Sequence, residues 1–177
     1  MSTILAFAGS NSSTSVNYKL VKFTSSLIDT HKIELVNMAN HTFPMYSEDR
    51  EKQLGFPEAL EELKKKITNA QGLIISVNEH NSGPSAYFKN ILDWFSRMDR
   101  NYMENTKVLL MSASPGKRGA IGAQEYVRSV LPRAGAEVVA TFSLPSFYDN
   151  FDEQKGILDS NLANELQDSV DKLVAEI

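Results

Sequence analysis

A chain of 177 residues with 42% apolar and 23% charged residues is long enough to bury one sizeable core, and its net charge of −4 argues against a nucleic-acid partner. It has no cysteine, which excludes disulfides, thiolate nucleophiles and cysteine-held zinc or iron–sulfur sites. No run approaches the roughly 20 apolar residues of a membrane span, and the N-terminus lacks the basic stretch and long apolar core of a signal peptide, so a cytoplasmic protein with no membrane partner is expected.

The first predicted element is a strand over Ile4–Ala8. It enters a turn, Gly9-Ser10-Asn11-Ser12-Ser13-Thr14-Ser15, and leaves in a helix with Val16, Leu20, Phe23 and Leu27 at helical spacing. Free N–H groups at a helix N-terminus favour an anion, and the hydroxyls of the turn add donors without bulk. A phosphate is the ligand such a turn suits. With no lysine or arginine in it, dipoles and hydrogen bonds rather than ion pairs would hold that phosphate. Plain helix capping is the competing reading of the same serines. The turn has neither the Gly-Lys-Ser/Thr of a triphosphate loop nor the three glycines of a dinucleotide fingerprint.

Lys32–Val36 is predicted as a second strand, and residues 37–55 as a loop whose charged run, Glu48 to Lys52, is a solvated surface. Pro57 opens a helix with Leu60, Leu63 and Ile67 inward, and Gly72 stops it. Leu73–Val77 is nearly all apolar, which marks a strand covered on both faces. A polar loop, Asn78-Glu79-His80-Asn81-Ser82-Gly83, follows, and Pro84 starts the next helix. That helix carries two apolar stripes: Phe88, Leu92 and Phe95, and beside them Tyr87, Ile91, Trp94 and Met98. The second stripe is either deep core or the face that meets another subunit. Lys107–Ala113 is a fourth strand, residues 114–120 a third polar loop, and a helix with Ala123, Val127, Val130 and Leu131 inward ends at Gly135. A fifth strand spans Glu137–Phe142, an irregular aromatic segment residues 144–151, and a last helix begins near Ser160.

Strands alternating with helices across residues 1–177 predict a single α/β domain, a five-stranded parallel sheet with helices on both faces; the doubly wound order expected for it is the flavodoxin-like 2-1-3-4-5. In such sheets ligands sit beyond the carboxyl ends of the strands, at the switch in strand order. In that order the first, third and fourth strands are neighbours, so their polar loops should converge. The second loop has amide and carboxylate groups suited to the edge of a flat heterocycle. Gly116 and Gly119 let the third approach a ring closely. A phosphate at one end and a planar polar ring at the other describe flavin mononucleotide (FMN).

These loops resemble the NADPH-dependent FMN reductases of flavodoxin-like fold, whose relatives reduce azo compounds, quinones and chromate. The family's first loop, Gly-Ser-x-Arg-x-x-Ser-x-Asn, is matched by Gly9, Ser10, Ser15 and Asn17. Its second, Pro-Glu-Tyr-Asn-Gly-Ser followed by Lys-Asn-x-x-Asp-Trp, is matched by Glu79 and Asn81, then by Lys89, Asn90, Asp93 and Trp94. Its third, Ser-x-Ser-Pro-Gly-x-x-Gly-Gly/Ala, is matched by Ser112, Ser114, Pro115, Gly116, Gly119 and Ala120. The resemblance implies FMN phosphate at Ser10, Ser12, Ser15, Val16 and Asn17. It places the ring against Asn78, Glu79, His80 and Asn81 on one side and Ser114, Pro115, Gly116, Gly119 and Ala120 on the other. NADPH or NADH would reduce the flavin, and a quinone, azo compound, free flavin or similar small molecule would be the acceptor. No catalytic side chain and no metal are implied, since the cofactor carries the redox chemistry. A homodimer or homotetramer through the Tyr87–Met98 helix is implied as well.

The chain departs from the pattern at Ser12 in place of Arg, Asn78 in place of Pro and His80 in place of Tyr. Losing a charge-assisted hydrogen bond of about 1.5–3 kcal/mol would weaken FMN binding about 10- to 100-fold unless compensated. Lys117 and Arg118 belong at the ring end and are candidates for the phosphates of NADPH. A flavodoxin-like electron carrier and a relative that has lost FMN and serves as a binding subunit remain as alternatives.

Overall fold

A computed structural model describes residues 2–177. In chain order its elements are β1 (Thr3–Ala8), α1 (Val16–Ser26), β2 (Lys32–Val36), α2 (Glu48–Leu54), α3 (Glu58–Asn69), β3 (Gly72–Val77), β4 (Glu79–His80), β5 (Gly83–Pro84), α4 (Ala86–Met98), β6 (Lys107–Ala113), α5 (Ile121–Val130), β7 (Glu137–Leu144), α6 (Phe147–Asn150), β8 (Phe151–Asp152), β9 (Gly156–Ile157) and α7 (Ser160–Ala175).

The five long strands pair in parallel in the order β2-β1-β3-β6-β7, which is the predicted flavodoxin-like order. Alternation along each strand splits the apolar residues between two layers. Leu5, Phe7, Leu73, Ile75, Val108 and Leu110 face α3, α4 and α5. Ile4, Ala6, Ile74, Leu109 and Met111 face α1 and α7. The central strands β1, β3 and β6 are buried on both faces and so read as continuous apolar runs, each large side chain contributing about 1.5–3 kcal/mol by burial.

The boundaries shift where capping chemistry overrides a proline or glycine signal. Pro57 is the N-cap of α3 rather than its first residue. Pro84 lies in the two-residue strand β5, and Ser85, whose Oγ accepts from Phe88 N, starts α4. Gly72 is the first residue of β3, packed against Ile4 and Ile177, while α3 has already ended at Asn69. The run Glu48 to Lys52, expected in a loop, begins α2, capped by Ser47. This helix buries no residue, so it has no apolar stripe to announce it.

The second stripe of α4 is consumed within the chain. Residues 41–57 cross it as a strap: Phe43 stacks on Tyr87 at 5.7 Å, and Tyr46 and Phe56 meet Trp94 edge-on. Trp94 Nε1 and Asn90 Nδ2 both donate to Pro44 O at 2.9 Å. Tyr87, its phenol pKa pushed up by burial, donates to Met38 O and His41 O.

The strap is latched by Glu51, which accepts from Arg97 through both carboxylate oxygens and from the Tyr46 hydroxyl. The Arg97 hydrogen bonds, with Tyr46 adding to them, hold the Glu51 carboxyl below the ordinary carboxylate range. A pKa lower in the folded state stabilises the fold above the unfolded value, and that contribution is lost as pH falls through the folded value. The urea midpoint should therefore drop between about pH 5 and pH 3, and Glu51→Gln should flatten that drop. The slope should not vanish, because Asp99 and Asp152 are held low too, chiefly by backbone N–H donors. An unchanged slope in Glu51→Gln would show that the latch is not formed in solution.

Candidate functional site

The loops after β1, β3 and β6 lie side by side because their strands end in register: Ala8 pairs with Ser76, and Val77 with Ser112. Direct hydrogen bonds join them. Gly9 N donates to Ser76 O at 2.8 Å, and Ser85 Oγ donates to Gly9 O at 3.0 Å. A Cβ at Gly9 would lie 2.8 Å from the Phe88 ring, so glycine is what lets the first loop sit against α4.

The first loop is a set of amides that the chain itself leaves largely unpaired. Ser15 caps α1 by accepting from Tyr18 N at 3.2 Å, and Ser12 O accepts from Ser15 N. Among the described residues, the N–H groups of Ser10, Asn11, Ser13, Val16 and Asn17 have no acceptor in the chain. Ser12, Ser13 and Thr14 expose their hydroxyls around them, while Ser10 and Ser15 are buried. Such a cluster at the positive end of a helix is built to receive an anion.

The Asn17 side chain has internal work. It is buried, its Oδ1 accepts from Ser76 Oγ at 2.7 Å and Ala113 N at 2.9 Å, and its Nδ2 donates to Ala113 O at 3.1 Å. It clasps α1 to the ends of β3 and β6, and what it leaves for a ligand is its backbone N–H.

The second loop is a β-hairpin rather than an open loop. Glu79 and His80 pair with Pro84 and Gly83, and Asn81 and Ser82 at its tip both have positive φ, 52° and 64°. His80 and Asn81 are exposed, with His80 Nε2 3.3 Å from Asn78 Nδ2. Asn78 Oδ1 is buried with no hydrogen-bond partner in the chain, an orphan acceptor at the base of this hairpin. Glu79 points to α5, its Oε2 accepting from Ala123 N at 2.9 Å. Gly122 makes room, since a Cβ there would lie 2.8 Å from that oxygen. A carboxylate at a helix N-terminus is favourable, and here it ties the second loop to the third.

The third loop begins with Ser114, half-buried, then Pro115 and Gly116, both exposed. Gly119 N donates to Gly116 O at 3.2 Å, closing a tight turn. Gly119 and Ala120 are both left-handed, φ 59° and 64°, and Gly119 O accepts from Ser112 Oγ at 2.7 Å and Ser143 Oγ at 2.9 Å. A side chain at Gly119 would collide with Ser143 and Pro145.

All fourteen residues anticipated for the site therefore border one stretch of the carboxyl edge, although Asn17 and Glu79 use their side chains to hold it together. Ser76, Ser85 and Ser143 hold it too and were not anticipated, and Ser112, noted only as a match to the third-loop motif, does the same. Ser76 and Ser112 did carry a signal: each is a polar residue inside an apolar strand, and a buried hydroxyl needs a partner.

The sequence pattern of the family described as NADPH-dependent FMN reductase matches residues 2–149. An NAD(P)H-dependent FMN reductase of Pseudomonas aeruginosa is 28% identical over 177 residues, covering 96% of this chain and 92% of that protein. A 2-hydroxy-1,4-benzoquinone reductase of a Burkholderia species is 30% identical over 138 residues, covering 75% of this chain and 73% of its own. Among solved structures, the FerB flavoenzyme NAD(P)H:(acceptor) oxidoreductase of Paracoccus denitrificans superposes with a TM-score of 0.78 over 99% of this chain and 96% of that one, at 24% identity. With the match spanning most of its length and the three loops gathered at one edge of the sheet, this chain belongs to the NADPH-dependent FMN reductase family.

Proposed function

We propose that this chain is an NAD(P)H-dependent FMN oxidoreductase whose acceptor is a small quinone-like molecule, with FMN held by the three loops of the carboxyl edge. The observation that carries the site is the row of unpartnered N–H groups on Ser10, Asn11, Ser13, Val16 and Asn17. They suit a phosphate, together with the hydroxyls of Ser10, Ser12 and Ser15. Asn78 to Asn81 would flank one side of the ring, and Ser114, Pro115, Gly116, Gly119 and Ala120 the other. The fit is supported at the ring end as well. The backbone of Gly83 and Gly116 is open, a Cβ meeting nothing closer than 4.0 Å and 3.7 Å. The Asn78 side-chain oxygen, Oδ1, is an acceptor still lacking a donor.

FMN when bound supplies hydride acceptance and two-electron delivery, so the chain needs no acid, base or nucleophile for that step. Its residues bind and orient. Glu79 and Asn17 fix the spacing of the loops, and backbone N–H groups of the third loop would favour negative charge developing on the ring. The quinone class rests on the benzoquinone-reducing relative. No helix among the described residues is long and apolar enough to cross a membrane. A cytoplasmic site of action fits a cysteine-free chain using a pyridine nucleotide. A homo-oligomer belongs to this reading. Since residues 41–57 cover the second stripe of α4, a face still open on that helix is the groove of about 480 Å³ between α4 and α5, lined by Leu92, Arg97, Tyr126 and Val130.

The purified protein, given FMN, should show flavin absorbance that NADPH bleaches under anaerobic conditions and a benzoquinone restores. A colourless protein that neither takes up FMN nor oxidises NADPH overturns the reading. FMN uptake without pyridine-nucleotide oxidation would assign it to the electron carriers.

A further inference from the structure

Two cations stand at the apex of the third loop. The hydrogen bond from Gly119 N to Gly116 O closes a four-residue turn whose central positions are Lys117 and Arg118. Both side chains are exposed, and neither forms an ion pair with a described residue. On α4, by contrast, Lys89 and Arg97 are held by Asp93 and Glu51. The loops after β1, β3 and β6 carry no other lysine or arginine, and the carboxylate among them, Glu79, is engaged with α5.

The turn is a fixed pedestal. Gly116 O accepts from Ser146 N at 3.0 Å and Ser114 Oγ at 3.3 Å besides closing the turn. Gly119 O is gripped by Ser112 on β6 and Ser143 on β7. A backbone already fixed loses less freedom on binding. An ammonium and a guanidinium on consecutive residues of one turn suit a phosphomonoester, which carries nearly two charges and three acceptor oxygens. The anion cradle on α1 leaves β1, whereas this turn stands on β6 and β7, so it addresses a second anion.

We propose that Lys117 and Arg118 form the site for the 2′-phosphate of the pyridine dinucleotide, so that the enzyme prefers NADPH to NADH. This rests on the NAD(P)H-oxidising function proposed above. A pyrophosphate contact is the rival for the same cations, and it differs in a measurable way, because both nucleotides carry a pyrophosphate and only NADPH carries the monoester.

The test is calorimetric titration of the FMN-loaded protein with 2′,5′-ADP and with 5′-AMP, alongside KM for NADPH and NADH. The wild type should bind 2′,5′-ADP about tenfold or more tightly than 5′-AMP. Lys117→Ala/Arg118→Ala should erase that difference and raise KM for NADPH about tenfold with KM for NADH unchanged. Lys117→Gln/Arg118→Gln, which keeps side-chain bulk, should do the same, and flavin spectrum and melting temperature should match the wild type in both variants. An equal loss for both nucleotides assigns the cations to the pyrophosphate and overturns the proposal. So does no loss in either. A colourless wild type would instead defeat the FMN reading, and the 2′,5′-ADP titration would still decide for or against the turn.

Discussion

Asn17→Ala is expected to lower the free energy of unfolding by about 3 kcal/mol, read as a lower urea midpoint at unchanged slope. The side chain satisfies Ala113 N, Ala113 O and Ser76 Oγ, and both Asn17 and Ser76 are buried. Alanine leaves these groups without partners where water has little access, at about 1–3 kcal/mol for each that cannot turn elsewhere. Ser76 can rotate its hydroxyl. The Ala113 amide and carbonyl are fixed in the strand end and cannot. Asn17→Asp separates structure from ligand binding: it retains both acceptor bonds but sets a carboxylate oxygen against Ala113 O and a negative charge beside the proposed phosphate. It should lose stability and FMN together, whereas Asn17→Ala retains the backbone N–H and should keep a measurable FMN affinity once folded. An Asn17→Ala protein as stable as the wild type would remove the clasp from the account of how the three loops are held.

The sheet was legible because its signal is redundant. Leu73 to Val77 must be covered on both faces, and a run that apolar has few places to sit but the middle of a doubly wound sheet. Alternation with helices gave a parallel sheet covered on both faces, and the strand order came with the flavodoxin-like likeness rather than from the alternation. The first loop was legible because glycine, hydroxyls and a helix start coincide in nine residues. What was missed is long-range or lacks a local signature. Helix α2 buries nothing and is fixed by Arg97, which lies 46 residues on from Glu51. Glu79 was assigned to a ring edge, but its side chain grips α5, 44 residues on. The tip of the second loop adopts positive φ at Asn81 and Ser82, with no glycine at either position to mark a hairpin. Whether the second stripe of α4 was deep core or a subunit face stayed open in the sequence, because the residues that cover it, Phe43, Tyr46 and Phe56, sit in a segment with no periodicity of its own.

Ser15→Asp is expected to weaken FMN binding by at least about 100-fold while leaving the fold at least as stable. Ser15 is the N-cap of α1, with a hydroxyl that accepts from Tyr18 N. Aspartate is as good a cap as serine, and its charge interacts favourably with the helix dipole by about 0.3–1 kcal/mol, so the melting temperature should hold or rise. The same charge would stand at the anion cradle. One unit charge about 5 Å from another costs about 3 kcal/mol at an effective dielectric of ~20, and a phosphomonoester carries nearly two. The helix end would already be neutralised as well, which removes part of what attracted the phosphate. Riboflavin, which has the ring but no phosphate, should bind wild type and variant alike, so the comparison isolates the phosphate contact from the ring loops. Fluorescence titration with both flavins and a thermal melt check all of this. FMN bound as tightly by the variant as by the wild type would move the phosphate away from α1. Riboflavin lost in parallel with FMN would mean that the substitution had disturbed the loops rather than the charge they surround.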